Sequence, residues 1–199
     1  MNTPALPETA PFTPEQRGWL NGFLAGLAAG GVNAPALPTS DGVDATPTAG
    51  ARISLAWGSQ TGNSEGLAKK AGKALAKAGH QVTIHDLAAY PTATLADEDC
   101  LLIITSTYGD GEPPDNAASF HEFLLSEDAP KLTKTRFAVF ALGDTEYPDF
   151  CECGKQFDSR LAELGGERLI PRIDADVDFE ESFASWQDQT LEALAAVTA

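Results

Sequence analysis

Three stretches of this chain carry residue types, at spacings, that could do chemistry. The first, Gly58-Ser59-Gln60-Thr61-Gly62-Asn63-Ser64, offers hydroxyls at Ser59, Thr61 and Ser64 and an amide at Asn63, with backbone N–H groups that Gly62 leaves approachable. If a helix follows, its N-terminus adds about 0.3–1 kcal/mol of attraction for an anion. That combination suits a phosphate. No Gly-Lys-Ser/Thr follows, and the nearest lysine, Lys69, is more than a helical turn downstream, so a triphosphate loop with magnesium is excluded. A single phosphomonoester could be held by neutral donors, each charge-assisted bond contributing about 1.5–3 kcal/mol. On its own the loop reads equally as an ordinary turn capping a helix.

The second stretch, Ser106-Thr107-Tyr108-Gly109-Asp110-Gly111-Glu112-Pro113-Pro114-Asp115-Asn116, sets an aromatic ring beside two glycines. The third, Gly143-Asp144-Thr145-Glu146-Tyr147-Pro148-Asp149-Phe150-Cys151, again supplies a tyrosine near a glycine. A tyrosine can act as a planar stacking platform. Two such plates beside a phosphate cradle describe a slot for a flat heteroaromatic nucleotide.

The surrounding pattern says what positions these loops. Short apolar runs at 53–57, 81–85, 100–105, 136–142 and 168–173 read as five strands. Between and after them, 64–78, 117–125, 154–164 and 180–196 read as helices, the first with Leu67, Ala71, Leu75 and Ala78 on one face and Gly79 as its C-terminal stop. Apolar strands alternating with helices predict an α/β fold, a doubly wound parallel sheet covered on both faces. The simplest five-strand order is 2-1-3-4-5, with a ligand crevice at the carboxyl ends of the first and third strands. All three loops follow strands at that end.

Composition narrows the function classes. The 199 residues hold 13 Lys+Arg against 29 Asp+Glu, a formal charge of −16, which argues against a nucleic-acid partner and favours a basic partner surface or simply solubility. No apolar stretch is long enough to span a membrane, and no secretory leader is evident, so a cytoplasmic setting is expected. Three cysteines, Cys100, Cys151 and Cys153, make no disulfide framework and no C-x-x-C pair. His80, His85 and His121 stand apart from other ligand types, so no metal is expected. Residues 1–50 read as an extension: a helix at about 13–29, capped by Thr13 and Pro14 and bearing Trp19, Phe23 and Leu27, then a Pro/Gly/Ala-rich linker over 30–50. Its apolar stripe is expected to pack on this domain or on a neighbour. Residues 51–199 form the domain proper.

The motifs SQTGN (59–63), STYGDGEPPDN (106–116) and LGDTEYPDFCECGKQFD (142–158) resemble the FMN loops of the flavodoxin-like domains of diflavin reductases, and residues 162–186 resemble the sulfite reductase branch of that family. The match covers about 52–196. The resemblance implies FMN as cofactor. Ser59, Gln60, Thr61, Gly62 and Asn63 would hold its phosphate. Ser106, Thr107, Tyr108, Gly109 and Gly111 would line the isoalloxazine, and Leu142, Gly143, Asp144, Tyr147, Phe150 and Cys151 would close the other side. The implied role is electron relay from an NADPH/FAD reductase module to a haem- or sirohaem-type acceptor. The resemblance also implies oligomerisation or partner docking through the helix at about 13–29. Tyr108 departs from the sulfite reductase branch, where a non-aromatic residue is frequent, and agrees with the haemoprotein reductases.

In such a relay no protein acid–base pair or nucleophile is needed, because the flavin does the redox work. Asp110, Glu112, Asp115, Glu122, Glu127 and Asp128, with Asp144, Glu146, Asp149 and Glu152, are expected to form an acidic docking rim. A carboxylate about 10 Å from the ring, at an effective dielectric near 20, disfavours an added electron by roughly 1.7 kcal/mol, on the order of 70 mV before screening. A low potential for full reduction follows, with the Gly109 carbonyl as a partner for a protonated flavin N5. Three alternatives share the topology. A free-standing flavodoxin-type carrier needs nothing more than these loops. An NAD(P)H–quinone oxidoreductase needs a nicotinamide site, for which no G-x-G-x-x-G follows a strand. A flavin-free signalling receiver needs paired acids after the first strand, which here ends Trp57-Gly58-Ser59.

Overall fold

The computed structural model describes residues 50–198; the expected helix at about 13–29 and all but the last residue of the 30–50 linker lie outside the described residues. Strands β1 (Arg52–Gly58), β2 (Gln81–Asp86), β3 (Cys100–Ser106), β4 (Arg136–Leu142), β5 (Glu167–Arg168) and β6 (Ile173–Ala175) form one sheet of order β2-β1-β3-β4-β5, with β6 also on β4. Every pairing is parallel, as the alternation of strands and helices requires.

The central strands are apolar throughout because both faces are covered. Leu55, Leu102, Ile104 and Phe140 point to one side, where helices α1 (Asn63–Lys77) and α4 (Glu180–Thr198) bring Leu67, Ala71, Leu75, Phe183 and Trp186. Ala56, Leu101, Ile103 and Val139 point to the other, against Phe120 and Leu124 of α2 (Ala118–Leu125) and Phe157 and Leu161 of α3 (Glu152–Glu163). The two-residue period of the strands sorts one apolar run into two cores. Ala78, expected on the apolar face of the first helix, is exposed. It caps the C-terminus, and Gly79 turns the chain at φ +97°.

The fifth strand differs from its expected form. The run 168–173 is interrupted: Arg168 pairs with Phe137 and Ile173 with Phe140, so this edge uses five steps of chain against three on β4. Pro171 lies in the break and has no N–H to give the ladder. The Leu169 N–H still reaches the Phe137 carbonyl at 2.7 Å, and side chains tie the edge to the neighbouring helix. Arg168 holds the buried Asp158 carboxylate with two bonds of 2.9 and 2.8 Å, Arg172 reaches it at 3.2 Å, and Arg172 also pairs with Asp174 at 2.7 Å. These carboxylates hold both guanidiniums above their ordinary pKa.

Between β2 and β3 the crossover contains two short 3-10 turns, Leu87–Ala89 and Thr92–Asp97, which place Leu87 and Leu95 in the second core. No helix of the described residues is long and apolar enough to cross a membrane. The histidines serve structure: His80 Nδ1 accepts from the Ala51 N–H, His85 meets Tyr90 edge-on, and His121 bonds Gln156.

Candidate functional site

The first loop leaves β1 through Gly58 and enters α1 at Gly62, whose φ of +90° marks a left-handed N-cap. Ser59 Oγ sits inside the turn, accepting the Gly62 N–H at 2.9 Å and the Ser64 N–H at 3.4 Å. No side chain caps the helix in the usual way. Ser64 Oγ is buried there with no protein partner. Buried hydroxyls without partners are uncommon in folded proteins, and this one stands at a helix N-terminus, where anions are favoured.

The second loop is a closed backbone turn. Tyr108 and Glu112 exchange two N–H···O bonds, each 2.8 Å, and Gly109 takes φ +55° between them. The loop is tied to the sheet end, since the Thr107 N–H donates to the Leu142 carbonyl and the Thr107 hydroxyl accepts the Cys153 N–H. Ser106 Oγ is a second buried hydroxyl without a protein partner.

The third loop is built on a close approach. A Cβ on Gly143 would lie 2.7 Å from the Cys151 backbone nitrogen and 2.9 Å from its sulfur, so only glycine lets the two ends of the loop meet. Cys151 adopts φ +57°, the one positive φ outside glycine among the described residues, and caps α3. Its buried thiol lies 3.5 Å from the Ala141 carbonyl and 3.7 Å from that of Ala175. Burial pushes this thiol up to about 12, with Asp174 adding to the shift. It therefore remains a protonated packing group at neutral pH, not a nucleophile. Cys153, buried against Thr105 at 3.6 Å, is likewise pushed up to about 12 by burial.

The three loops enclose a cleft of about 480 Å³ at the carboxyl ends of the strands. Thr61, Asn63, Ser106, Thr107, Tyr108, Gly109, Leu142, Gly143, Asp144, Tyr147, Phe150 and Cys151 line it. Tyr108 and Tyr147 share this one cleft and are 52% and 58% exposed, so neither ring is committed to the core. Four expected residues do not line it. Ser59 turns its oxygen inward to the loop's own N–H groups, Gly62 supplies the turn, and Gly111 packs 3.1 Å (from an added Cβ) against Asp149. Gln60 spends both ends of its amide on Asp115, donating at 3.1 Å and accepting at 3.2 Å.

Val177 and Phe179 line the cleft without having been expected there, and Asp149, expected on the rim, lines it as well. Val177 and Phe179 follow β6, and the same switch-point rule finds them once the last strand is extended to Ala175. Among the expected rim acids, Asp110, Glu112, Asp144, Glu146 and Asp149 lie on the loops around the cleft, while Glu127 and Asp128 follow α2, beyond its far end. The Lys155 ammonium lies 5.8 Å from the centroid of the Phe150 ring. Among the described residues no group of three or more His, Cys, Asp or Glu could hold a metal ion.

Comparison with known proteins agrees with this geometry. The sulfite reductase [NADPH] flavoprotein alpha-component of Bacillus subtilis is 45% identical over 186 residues, 92% of this chain and 31% of that protein. The protein of the same name from Salmonella typhimurium is 43% identical over 94% of this chain and 30% of its own length. The chain thus spans about a third of the length of these curated relatives. A flavodoxin structure from Streptococcus pneumoniae TIGR4 superposes with a TM-score of 0.66 at 29% identity, covering 73% of this chain and 99% of that one. A mutant flavodoxin from Pseudomonas aeruginosa gives 0.64 at 27% identity, covering 72% of this chain and 99% of that one. With the flavodoxin family model matching residues 55–186, this chain belongs to the flavodoxin family, whose cofactor is FMN.

Proposed function

We propose that this chain is the FMN-bearing electron-transfer part of an NADPH-dependent, sulfite reductase-like flavoprotein, passing electrons from an FAD reductase module to a haem- or sirohaem-type acceptor. The observation that carries the reading is the placement of Tyr108 and Tyr147, both more than half exposed, on one cleft beside a helix N-terminus with a buried, unpartnered serine hydroxyl. Those features fit the group. Thr61, Asn63 and the N–H groups at the start of α1 would hold the phosphate, and Ser64 Oγ and Ser106 Oγ are free to donate. Tyr108 and Tyr147 would take the two faces of the ring. When bound, FMN supplies one-electron redox chemistry that the side chains cannot.

The chain's own residues do the rest. Gly109, turned by its positive φ, can present its carbonyl or its N–H toward the cleft at small cost. Asp110, Glu112, Asp144, Glu146 and Asp149 give the mouth a negative field that disfavours added charge and attracts a basic partner surface. The names of the relatives from Bacillus and Salmonella support the NADPH-linked assignment.

Two measurements test this. Flavin extracted from the purified protein should be FMN, released by acid and distinguishable from FAD. Electron exchange with a basic FAD-type reductase should slow steeply as ionic strength rises. A salt-independent rate would remove the acidic mouth from the docking surface, and a colourless protein that does not bind added FMN would overturn the reading itself.

A further inference from the structure

The phosphate loop and the Tyr108 loop are not independent. Asn116 Oδ1 accepts the Ser59 N–H at 2.9 Å, and its Nδ2 donates to the Trp57 carbonyl at 3.3 Å and to Asp86 Oδ1 at 2.9 Å. Asp86 closes β2 and also accepts the Ala88 N–H at 2.9 Å. One half-buried amide therefore joins the end of β1, the start of the first loop, the end of β2 and the return leg of the second loop. Beside it, Asp115 and Gln60 make the reciprocal pair already described, which is exposed. Between this clamp and the Tyr108–Glu112 turn stand only Pro113 and Pro114, whose fixed φ makes a stiff spacer.

Resting on the FMN reading above, we propose that Asn116, seconded by Asp115 and Gln60, is a positioning residue that sets the distance between the phosphate cradle and the ring platform, and so selects a phosphorylated flavin over an unphosphorylated one. Asn116 is not among the residues lining the cleft, and its hydrogen bonds run to Ser59, Trp57 and Asp86, so it acts through the first loop and the second. Gln60, by the same geometry, is a clamp residue whose amide is committed to Asp115 and not to the phosphate. Loss of the clamp frees the two loops to drift apart, which harms a ligand that must satisfy both ends and spares one that uses only the ring platform.

The test compares dissociation constants for FMN and riboflavin, read by flavin fluorescence quenching, in the unmodified chain, Asn116→Ala, Asn116→Asp and the double variant Asp86→Asn with Asn116→Asp. Asn116→Ala should weaken FMN about tenfold or more and riboflavin about twofold or less, compressing the preference between them. Asn116→Asp should do at least as much damage, because it places a carboxylate against Asp86 and the Trp57 carbonyl. The double variant gives the new carboxylate an amide donor at position 86, though that nitrogen replaces the oxygen that also accepts the Ala88 N–H, and it should recover part of the preference. A general loss of stability would weaken both ligands together and would not be rescued by the exchange, and that result overturns the proposal. So does an unchanged FMN-to-riboflavin ratio in Asn116→Ala. If Asn116→Ala fails to fold by circular dichroism, the single and double Asp variants decide the matter alone: no recovery in the double overturns it. Failure of the unmodified chain to bind FMN would instead count against the functional reading.

Discussion

The two tyrosine-bearing loops look alike in sequence, each a tyrosine near a glycine amid acids, yet they are held by different forces. The Tyr108 loop is a backbone turn closed by its own two hydrogen bonds and moored to the phosphate loop by side-chain amides. The Tyr147 loop has a backbone turn of its own, the Tyr147 N–H donating to the Asp144 carbonyl at 3.1 Å, but its two ends meet by packing, with Gly143 pressed on Cys151 and the Cys151 thiol buried against two carbonyls of the sheet end. A backbone turn tolerates change in its side chains because its bonds survive them. A packed junction does not, because interiors have few voids to take up an added methyl.

The largest consequence concerns the thiol. With Cys151 pushed up to about 12 by burial, its thiolate fraction at pH 8 is on the order of a thousandfold below that of an ordinary cysteine. A disulfide reagent at pH 8 should leave Cys151 unmodified in the folded protein and react with it promptly in denaturant. Rapid labelling of the native chain at Cys151 would mean that the third loop opens, and that it is not the packed junction described.

Next come the glycines. Gly143→Ala should destabilise the chain by about 3 kcal/mol, since the new methyl meets the backbone nitrogen of Cys151 and that atom cannot turn aside. Gly109→Ala should cost about 1 kcal/mol. Its φ of +55° lies in the left-handed region, and the nearest atom to an added Cβ is the mobile Glu112 carboxylate at 3.3 Å. Urea midpoints of the two variants give the ranking directly, and equal losses would erase the contrast between the loops.

Replacement of either ring measures what the two constructions deliver to the cofactor. Tyr108→Ala and Tyr147→Ala should each weaken FMN binding by about 1–3 kcal/mol, by titration of the apoprotein, or else shift its potentials. The Tyr108 change should leave the urea midpoint of the apoprotein unaltered, because the ring is 52% exposed and the turn is closed by backbone. A tyrosine whose loss moves neither affinity nor potential does not belong to the site.

How far the sequence could be followed depends on which force sets each feature. The central strands were legible because burial on both faces writes an unbroken apolar run, as at Leu101–Ile104; alternation gave the parallel sheet, and its order was the simplest one that five strands allow. The tyrosines were legible because strand ends dictate where a parallel sheet binds. The broken edge strand was readable in principle from Pro171, but the chain's return to β4 at Ile173 is accompanied by Asp158 of α3 holding Arg168 and Arg172, a helix-to-edge contact that the apolar pattern of the run does not encode. Misplacing that strand end hid Val177 and Phe179. Gln60 was found as a residue type, yet its direction toward Asp115, 55 positions away, is a tertiary fact that no local pattern encodes.

The smallest effect sharpens the comparison at the outer margin of the packed loop. Asp176 accepts the Thr145 N–H at 3.1 Å, the Thr145 hydroxyl and the Val177 N–H at 2.8 Å, and these bonds to its ionised form hold its pKa below the ordinary carboxylate value. A carboxyl lowered on folding contributes stability that is fully present above its unfolded pKa, about 3.9, and is lost as pH falls through the lower folded value. Because the group is solvent-exposed, the contribution is small and local. The Thr145 and Val177 amide resonances should therefore hold steady above about pH 5 and move only in acid, below the range where free aspartates titrate. Asp176→Asn should abolish that acid transition while changing FMN affinity by about twofold or less. If instead the substitution loosened the cofactor as much as removal of Tyr147, the third loop would be held from its exposed rim, and the buried Gly143–Cys151 junction would not be its principal anchor.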